Sequence, residues 1–497
     1  MLRRRFLKSA LASLATPALC GRAFAEAAPG NTLPIPPLME VGEDAGNRLD
    51  AIYGTHAFLE GAEARTMGWS QDFLGPTLRL RSGRTARLTV GNGIEHAITS
   101  HWHGLHVPGW NDGGPQSLIA PDAVLEQALE IDQPAGTFWY HSHPHGTTGD
   151  QVYHGLAGLL LIEDEQPGEN ALPATYGIDD IPLIIQDKSF SRRGRLRYDD
   201  DGMTAMQGFR GDRIAVNGAL EPVAQVPPGL VRFRLLNASN SRVYVLSFDD
   251  GRAIYQIASD AGLLPAPVRL DRLQLAPAER AEILVDFSDG ASSRLISQDV
   301  PVQMMGGMMG GRMGGGMMGR SAGSDSPNGT FNILSLTVDE SRQAAVSDVP
   351  REIRGAHIPD LGEPVRRRRF ELNMMMGMGM MRGMFGGRPT LGINGRTYDM
   401  ERIDEQLRIG ETEIWEISAD MMSHPFHVHG TSFQVLSQNG RPVSFAETGM
   451  KDVVWVENHA EILVRFDHPA TPEAPYMYHC HILEHEDSGM MGQFTVT

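Results

Sequence analysis

The feature that most restricts the fold of this chain is a strand-pair unit that recurs three times. "PTLRLRSGRTARLTVGNG" near 76–93, "QVPPGLVRFRLLNAS" at 225–239 and "EQLRIGETEIWEISA" at 405–419 each read as a strand entering a turn and leaving as another strand. A second similar element follows each one tens of residues later: "LEQALEIDQPAGTFWYHSH", "LAPAERAEILVDFSD" and "ENHAEILVRFDHP". Apolar and polar residues alternate in all six, as they do on strands with one face buried. Three copies of one β-sandwich unit account for this most simply. A chain of 497 residues is too long for one core and suits about three domains. Plentiful glycine (56) and proline (31), with few long helical patterns, favour an all-β chain. Domains are expected at about 45–166, 175–340 and 365–497, joined by a Pro- and Gly-containing linker and by a polar one ending in Arg366 to Arg369.

Residues 1–25 read as an export signal. Arg3, Arg4 and Arg5 precede Phe6-Leu7-Lys8, a weakly apolar run follows, and Ala23-Phe24-Ala25 offers a cleavage site. The pattern resembles a twin-arginine signal more than a general secretory one with extra arginines, so the expected location is the periplasm, reached as a folded protein through the twin-arginine machinery. No other stretch is long and apolar enough to span a bilayer. The chain carries a formal charge of −18, and −23 once the five cations of the signal are removed. Such a protein repels nucleic acid and anionic lipid and attracts cations. Of two cysteines, Cys20 leaves with the signal, so Cys480 is the one thiol of the mature chain: a buried inert residue or a metal ligand.

The 18 histidines are not scattered. His-x-His occurs at His101/His103, His141/His143, His143/His145, His427/His429 and His479/His481. On a strand, residues i and i+2 share a face, so each pair presents two imidazoles side by side, about 6–7 Å apart at the backbone. Four such strands brought together would offer eight imidazoles, a set suited to copper, iron, zinc or nickel. Cys480 narrows the choice. It lies between His479 and His481 and points to the opposite face, with His485 five residues later, Met490 ten later, and His424 just ahead of the His427/His429 pair. Two imidazoles, a thiolate and a weak thioether form the ligand set of a blue-copper electron-transfer site. One strand would then touch two metal centres.

The motifs "HWHG" (101–104), "WYHSH" (139–143), "HPFHVHG" (424–430) and "HCHILEHEDSGM" (479–490) resemble the four copper-binding motifs of the multicopper oxidases. The resemblance spans essentially the whole mature chain. It implies three consecutive cupredoxin-like Greek-key β-sandwich domains and four copper ions. Type 1 copper would take His424, Cys480, His485 and Met490; type 2 would take His101 and His427; and the type 3 pair would take His103, His141, His143, His429, His479 and His481. His145 matches no ligand position. The first and last domains would supply the trinuclear site, with the middle domain as a spacer. Asp112, in "WNDGGPQ", and Glu486 match the family's proton-relay acids, which reduction of O2 to water requires. A turn aspartate and a solvated acid are the plainer alternatives.

Two tracts, "QMMGGMMGGRMGGGMM" (303–318) and "MMMGMGMMRGM" (374–384), hold fourteen of the 26 methionines. Their glycine density argues against packed helix or strand. Thioether sulfur selects Cu(I). Within the family the resemblance is nearest to periplasmic copper-efflux oxidases, which oxidise Cu(I) to Cu(II) and carry a Met-rich insert in the third domain. "SADMMSH" (418–424) puts Asp420 where that subgroup has an acid near its substrate copper. The reductant is therefore expected to be Cu(I). A laccase-like phenol oxidase is the alternative, with the tracts as flexible covers or as disordered linkers that absorb oxidation. A non-enzymatic copper-binding or structural protein on the same fold is a further alternative. Cell-division relatives of that sort have lost their copper ligands, whereas the ten histidines, Cys480 and Met490 are all present here.

Overall fold

The computed structural model describes residues 31–44, 46–164, 172–199, 201–300, 329–374 and 391–497. The signal segment 1–25, the tract 303–318 and residues 375–384 of the second tract lie outside the described residues. Strands dominate, and the described helices run only four to seven residues. Six sheets fall into three consecutive pairs. This is a cupredoxin-like, all-β architecture.

The first pair joins a five-stranded sheet, in which Ala157–Glu163, Gly136–His141 and His101–His103 lie in that order toward one edge, to a four-stranded sheet centred on Arg48–Leu59 and Arg84–Asn92. The middle pair contains a seven-stranded and a five-stranded sheet between Asp180 and Val338. The last pair sets a seven-stranded sheet against a five-stranded one. In the latter, Met491–Val496, Tyr476–Cys480, His424–Val428 and Val453–Val456 are neighbours in that order. Each pair encloses its own apolar core. Period-two alternation fills those cores: in His459–Arg465, for example, Ala460, Ile462 and Val464 are buried while the residues between are partly exposed.

Two registers position the histidines. In the first unit His101–His103 runs antiparallel to Gly136–His141 with His101 opposite His141. In the last unit His424–Val428 runs antiparallel to Tyr476–Cys480 with His427 opposite His479 and Phe426 opposite Cys480. Strand geometry then sends Cys480 into the core of the last sandwich, among Phe426, Ile482, Met422 and Met490. His479 turns the other way, toward the first unit. Gly104 ends the first His-x-His strand at φ +89, where a Cβ would lie 2.5 Å from Asp452 Oδ2 and 3.0 Å from Arg280 Nη2. Only glycine admits that approach at that backbone angle.

Candidate metal centre

The strand Tyr476–Cys480 leads into a single helical turn, Leu483–Asp487, which brings His485 back toward Cys480. His424 Nδ1 lies 3.3 Å from Cys480 Sγ and 3.3 Å from His485 Nδ1, and His485 Nδ1 lies 3.6 Å from the sulfur. Met490 is fully buried, and its backbone is tied to both ligand positions: its amide donates to His485 O and its carbonyl accepts from Cys480 N. Ile482 N also approaches Sγ at 3.4 Å. Burial pushes the Cys480 thiol well up and the His485 ring down to about 4. Without a cation these groups would stay a thiol and neutral imidazoles, so metal binding here must displace the thiol proton.

The other eight histidines expected as ligands meet between the first and last units. His103, His141 and His481 converge, as do His143, His429 and His479, while His101 and His427 share a cluster with His103. Within each set the ligand atoms lie within 4.8 Å of one another, and every residue is buried. His479 Nε2 lies 3.3 Å from His143 Nε2 and 3.1 Å from His429 Nε2. Donors about 2.0 Å from one tetrahedral metal stand about 3.3 Å apart.

The outward nitrogens fix which atoms face inward. His101 Nδ1 donates to Asp112 O (2.8 Å), His427 Nδ1 to Asp452 O (2.8 Å), His141 Nδ1 to Ser142 O (3.0 Å) and His429 Nδ1 to the Asp112 carboxylate (2.7 Å). The Nε2 atoms of His101, His141 and His427 are then buried without a hydrogen-bond partner, as are both nitrogens of His481. Burial holds these rings well below the ordinary imidazole value, with His141 and His479 near 3, so they present lone pairs and not charges. Lone pairs packed this closely and left unpartnered are unfavourable unless a cation lies among them. This set of nitrogen and sulfur donors fits copper.

The three acids named from sequence occupy different settings. Asp112 is fully buried at the end of a short turn, bridging His101 by its carbonyl and His429 by its carboxylate. Glu486 is fully buried with its two oxygens 3.3 Å from His143 Nδ1 and 3.3 Å from His479 Nδ1. Burial raises both carboxyls well above their ordinary values. Glu486 is therefore not a solvated acid, and Asp112, although it ends a turn, directs its carboxylate to His429. Asp420 joins neither centre. It is half-buried beyond the His424 strand, where it accepts Met374 N at 3.2 Å, and burial raises it. His145 lies exposed, its ring 5.0 Å from Tyr398.

Sequence reasoning missed three groups. Asp452 contacts His103 Nε2 at 3.1 Å and His427 through its carbonyl. Arg280 grips Asp452. Met206 O, on the middle unit's turn Gly202–Gln207, accepts from His485 Nε2 at 3.1 Å. The middle unit is therefore not a spacer, because it supplies a direct partner to a ligand of the sulfur site and a residue one step from the imidazole site. No local pattern marks these positions, since each acts across a contact between sequence-distant strands.

Residues 50–167 and residues 369–497 each match the family described as "Multicopper oxidase". The chain is 35% identical over 494 residues to the protein named cell division protein FtsP of Dickeya dadantii (strain 3937), covering 99% of this chain and 98% of that one. It is 38% identical to the solved bacterial laccase-like multi-copper oxidase CueO from the lignin-degrading Ochrobactrum sp., with a TM-score of 0.82, covering 94% of this chain and 100% of that one. The multi-copper oxidase of Pediococcus acidilactici is 31% identical with a TM-score of 0.78, covering 96% and 94%.

Proposed function

This chain belongs to the multicopper oxidase family, and on that premise we propose that it is a periplasmic cuprous oxidase serving copper tolerance. Four Cu(I) would each give one electron, and O2 with four protons would leave as two waters. The observation that carries the reading is the pair of buried donor sets joined through Cys480, whose strand neighbours His479 and His481 belong to the imidazole sets.

His424, Cys480, His485 and Met490 would hold type 1 copper, and His101 with His427 type 2. His103, His141 and His481 would hold one type 3 ion, and His143, His429 and His479 the other. Bound copper would supply one-electron acceptance at the thiolate site and reduction of O2 at the imidazole site. The chain's own part is to bury all these donors, fix their tautomers and hold protons. Asp112 is hydrogen-bonded to His429 and Glu486 lies 3.3 Å from His143 and His479, with carboxyls that burial makes reluctant to ionise, which suits groups that take up and pass on protons.

Cu(I) as reductant draws support from the ends of the methionine tracts. Val300, three residues before the first tract, lines a cavity of about 100 Å³ with Met422, Ser423 and Ile482, beside His424 and Cys480. Met374, the first residue of the second tract, donates its amide to Asp420. Val300 and Met374 thus each adjoin the segment Asp420–Ser423 that precedes His424, and soft thioethers beside it would gather Cu(I). Export by the twin-arginine route rests on residues 1–25 and would be tested by replacing Arg3, Arg4 and Arg5 with lysine and following the location of the protein.

A phenol-oxidising reading has its own support. The Ochrobactrum protein is described as having oxidase activity towards lignin model compounds, and Val243, Trp455 and Ile482 line the same cavity here. The relatives named for cell division suggest a role on this fold that needs no oxidation, but unpartnered, convergent imidazoles are costly in a protein that binds nothing. Steady-state O2 consumption on copper-loaded protein, with Cu(I) against a phenol, separates the three. Preference for Cu(I) supports the proposal, and preference for the phenol replaces it. A chain that takes up no copper and consumes no O2 leaves the cell-division reading.

A further inference from the structure

We infer that Arg280, from the middle unit, is a positioning residue for the imidazole site, acting through Asp452. This rests on the copper reading of that site. Both side chains are essentially without solvent contact. All five N–H groups of the guanidinium are used. Nε donates to Thr137 O of the first unit (3.2 Å). Nη1 donates to Ala278 O (3.0 Å) and Asp452 Oδ1 (2.7 Å), and Nη2 to Asp260 O (2.8 Å) and Asp452 Oδ2 (2.5 Å). One arginine therefore joins all three units, and its planar fork fixes both oxygens of Asp452.

Asp452 then meets one histidine from each outer unit. Oδ1 lies 3.1 Å from His103 Nε2, and the carbonyl accepts from His427 Nδ1. The rings of His103 and His427 stack with centroids 3.7 Å apart and planes 11° apart. His103 differs from its neighbours. His101, His141, His427 and His429 use Nδ1 outward and leave Nε2 for a metal, whereas His103 uses Nε2 outward and leaves Nδ1 buried and unpartnered. The Asp452 carboxylate selects the Nε2–H form of His103, so that Nδ1 offers its lone pair. Gly104 keeps the arrangement possible, because any side chain there would strike Asp452.

The first test measures the His103 tautomer directly. In metal-free protein labelled with ¹⁵N at histidine, His103 is expected as the Nε2–H form, and His101, His427 and His429 as Nδ1–H. An Nδ1–H form of His103 would overturn the inference and needs no variant. The second test uses Arg280→Lys and Asp452→Asn in the full chain, each loaded with copper beside the parent. The blue absorption of the sulfur site should persist and report a folded last unit. The electron paramagnetic resonance signal of type 2 copper should change, and copper beyond the first ion should be lost to a chelator about tenfold more readily. The double variant should lose no more than the worse single one, because the pair acts as one unit. Blue variants that keep the parent's type 2 signal and copper retention overturn the positioning role alone. A parent that binds no copper overturns the copper reading as well.

Discussion

Replacing Glu486 by glutamine tests the imidazole site where its geometry is most exposed to a single atom. The two carboxylate oxygens lie 3.3 Å from His143 Nδ1 and 3.3 Å from His479 Nδ1, close enough to pair by charge but not aligned as hydrogen bonds. Glutamine keeps one acceptor but turns the other position into a donor facing a donor. His479 Nδ1 has a hydrogen-bond acceptor in Cys480 O at 3.1 Å, whereas His143 Nδ1 has no hydrogen-bond partner among the described residues and only the 3.3 Å approach of Glu486, so the loss falls on His143. A polar contact of this kind, to a carboxyl that burial keeps from ionising readily, contributes about 0.5–1.5 kcal/mol. Copper held by His143, His429 and His479 should therefore bind about 2–10-fold more weakly. Turnover should fall further, because an amide cannot carry a proton and a positioned acid or base contributes roughly 10²–10⁴-fold. Metal analysis after dialysis against graded chelator, blue absorbance and O2 uptake on one sample separate the effects: the blue colour stays, copper is lost selectively, and O2 uptake per copper drops. The metal-free proteins should differ with pH as well. Burial raises the Glu486 carboxyl, so its ionisation costs folding stability as pH rises through the raised value, and below its ordinary value of 4.5 this cost is absent. The glutamine variant should thus gain stability over the metal-free parent toward high pH and lose that advantage in acid. Full copper occupancy with parent turnover would refute the reasoning.

Cys480→Ser should abolish the blue colour while the eight imidazoles of the other site still take up copper, and an intense thiolate-to-copper absorption that survives it would remove Cys480 from the sulfur site. Metal-free protein should lose stability in acid. His141 and His479 are held near 3 and His485 near 4, so the unfolded chain binds protons below the ordinary 6.5 while the folded chain does not; this contribution is level above about pH 6.5 and falls toward pH 4, opposed by the raised Asp112 and Glu486 carboxyls, so urea midpoints should fall toward acid more steeply in the Glu486→Gln variant than in the parent. A flat profile of the variant over that range would mean the rings are not buried neutral. Deleting residues 375–384 should raise the Cu(I) concentration needed for half-maximal rate while phenol oxidation holds or improves, with copper content checked on the same sample. Unchanged Cu(I) kinetics after deleting both tracts would favour the phenol-oxidase reading.

The strand registers show why so much of the site was readable. A strand puts residues i and i+2 on one face whatever the rest of the molecule does, so His-x-His already meant paired imidazoles, and Cys480 between two histidines already meant opposite faces. The settings of Asp112 and Glu486 were less legible. Their burial, and which ring each one meets, depend on the first and last units docking, as in the contact between Asp112 and His429, 317 positions apart.

From the sequence alone came the all-β repeat, the histidines, Cys480 and Met490, and a family resemblance carried by motifs of a few residues. All of these depend on local periodicity or short spacing. Tertiary structure decided which three imidazoles share a centre, which nitrogen of each faces inward, and which outer groups enforce that choice. His103 offers Nδ1 because Asp452 takes its Nε2, Asp452 is held because Arg280 reaches it from another sandwich, and His485 is capped by Met206 O from that same unit. Hydrogen-bond partners at this distance are set by how finished sheets pack, and no period along a strand encodes that packing.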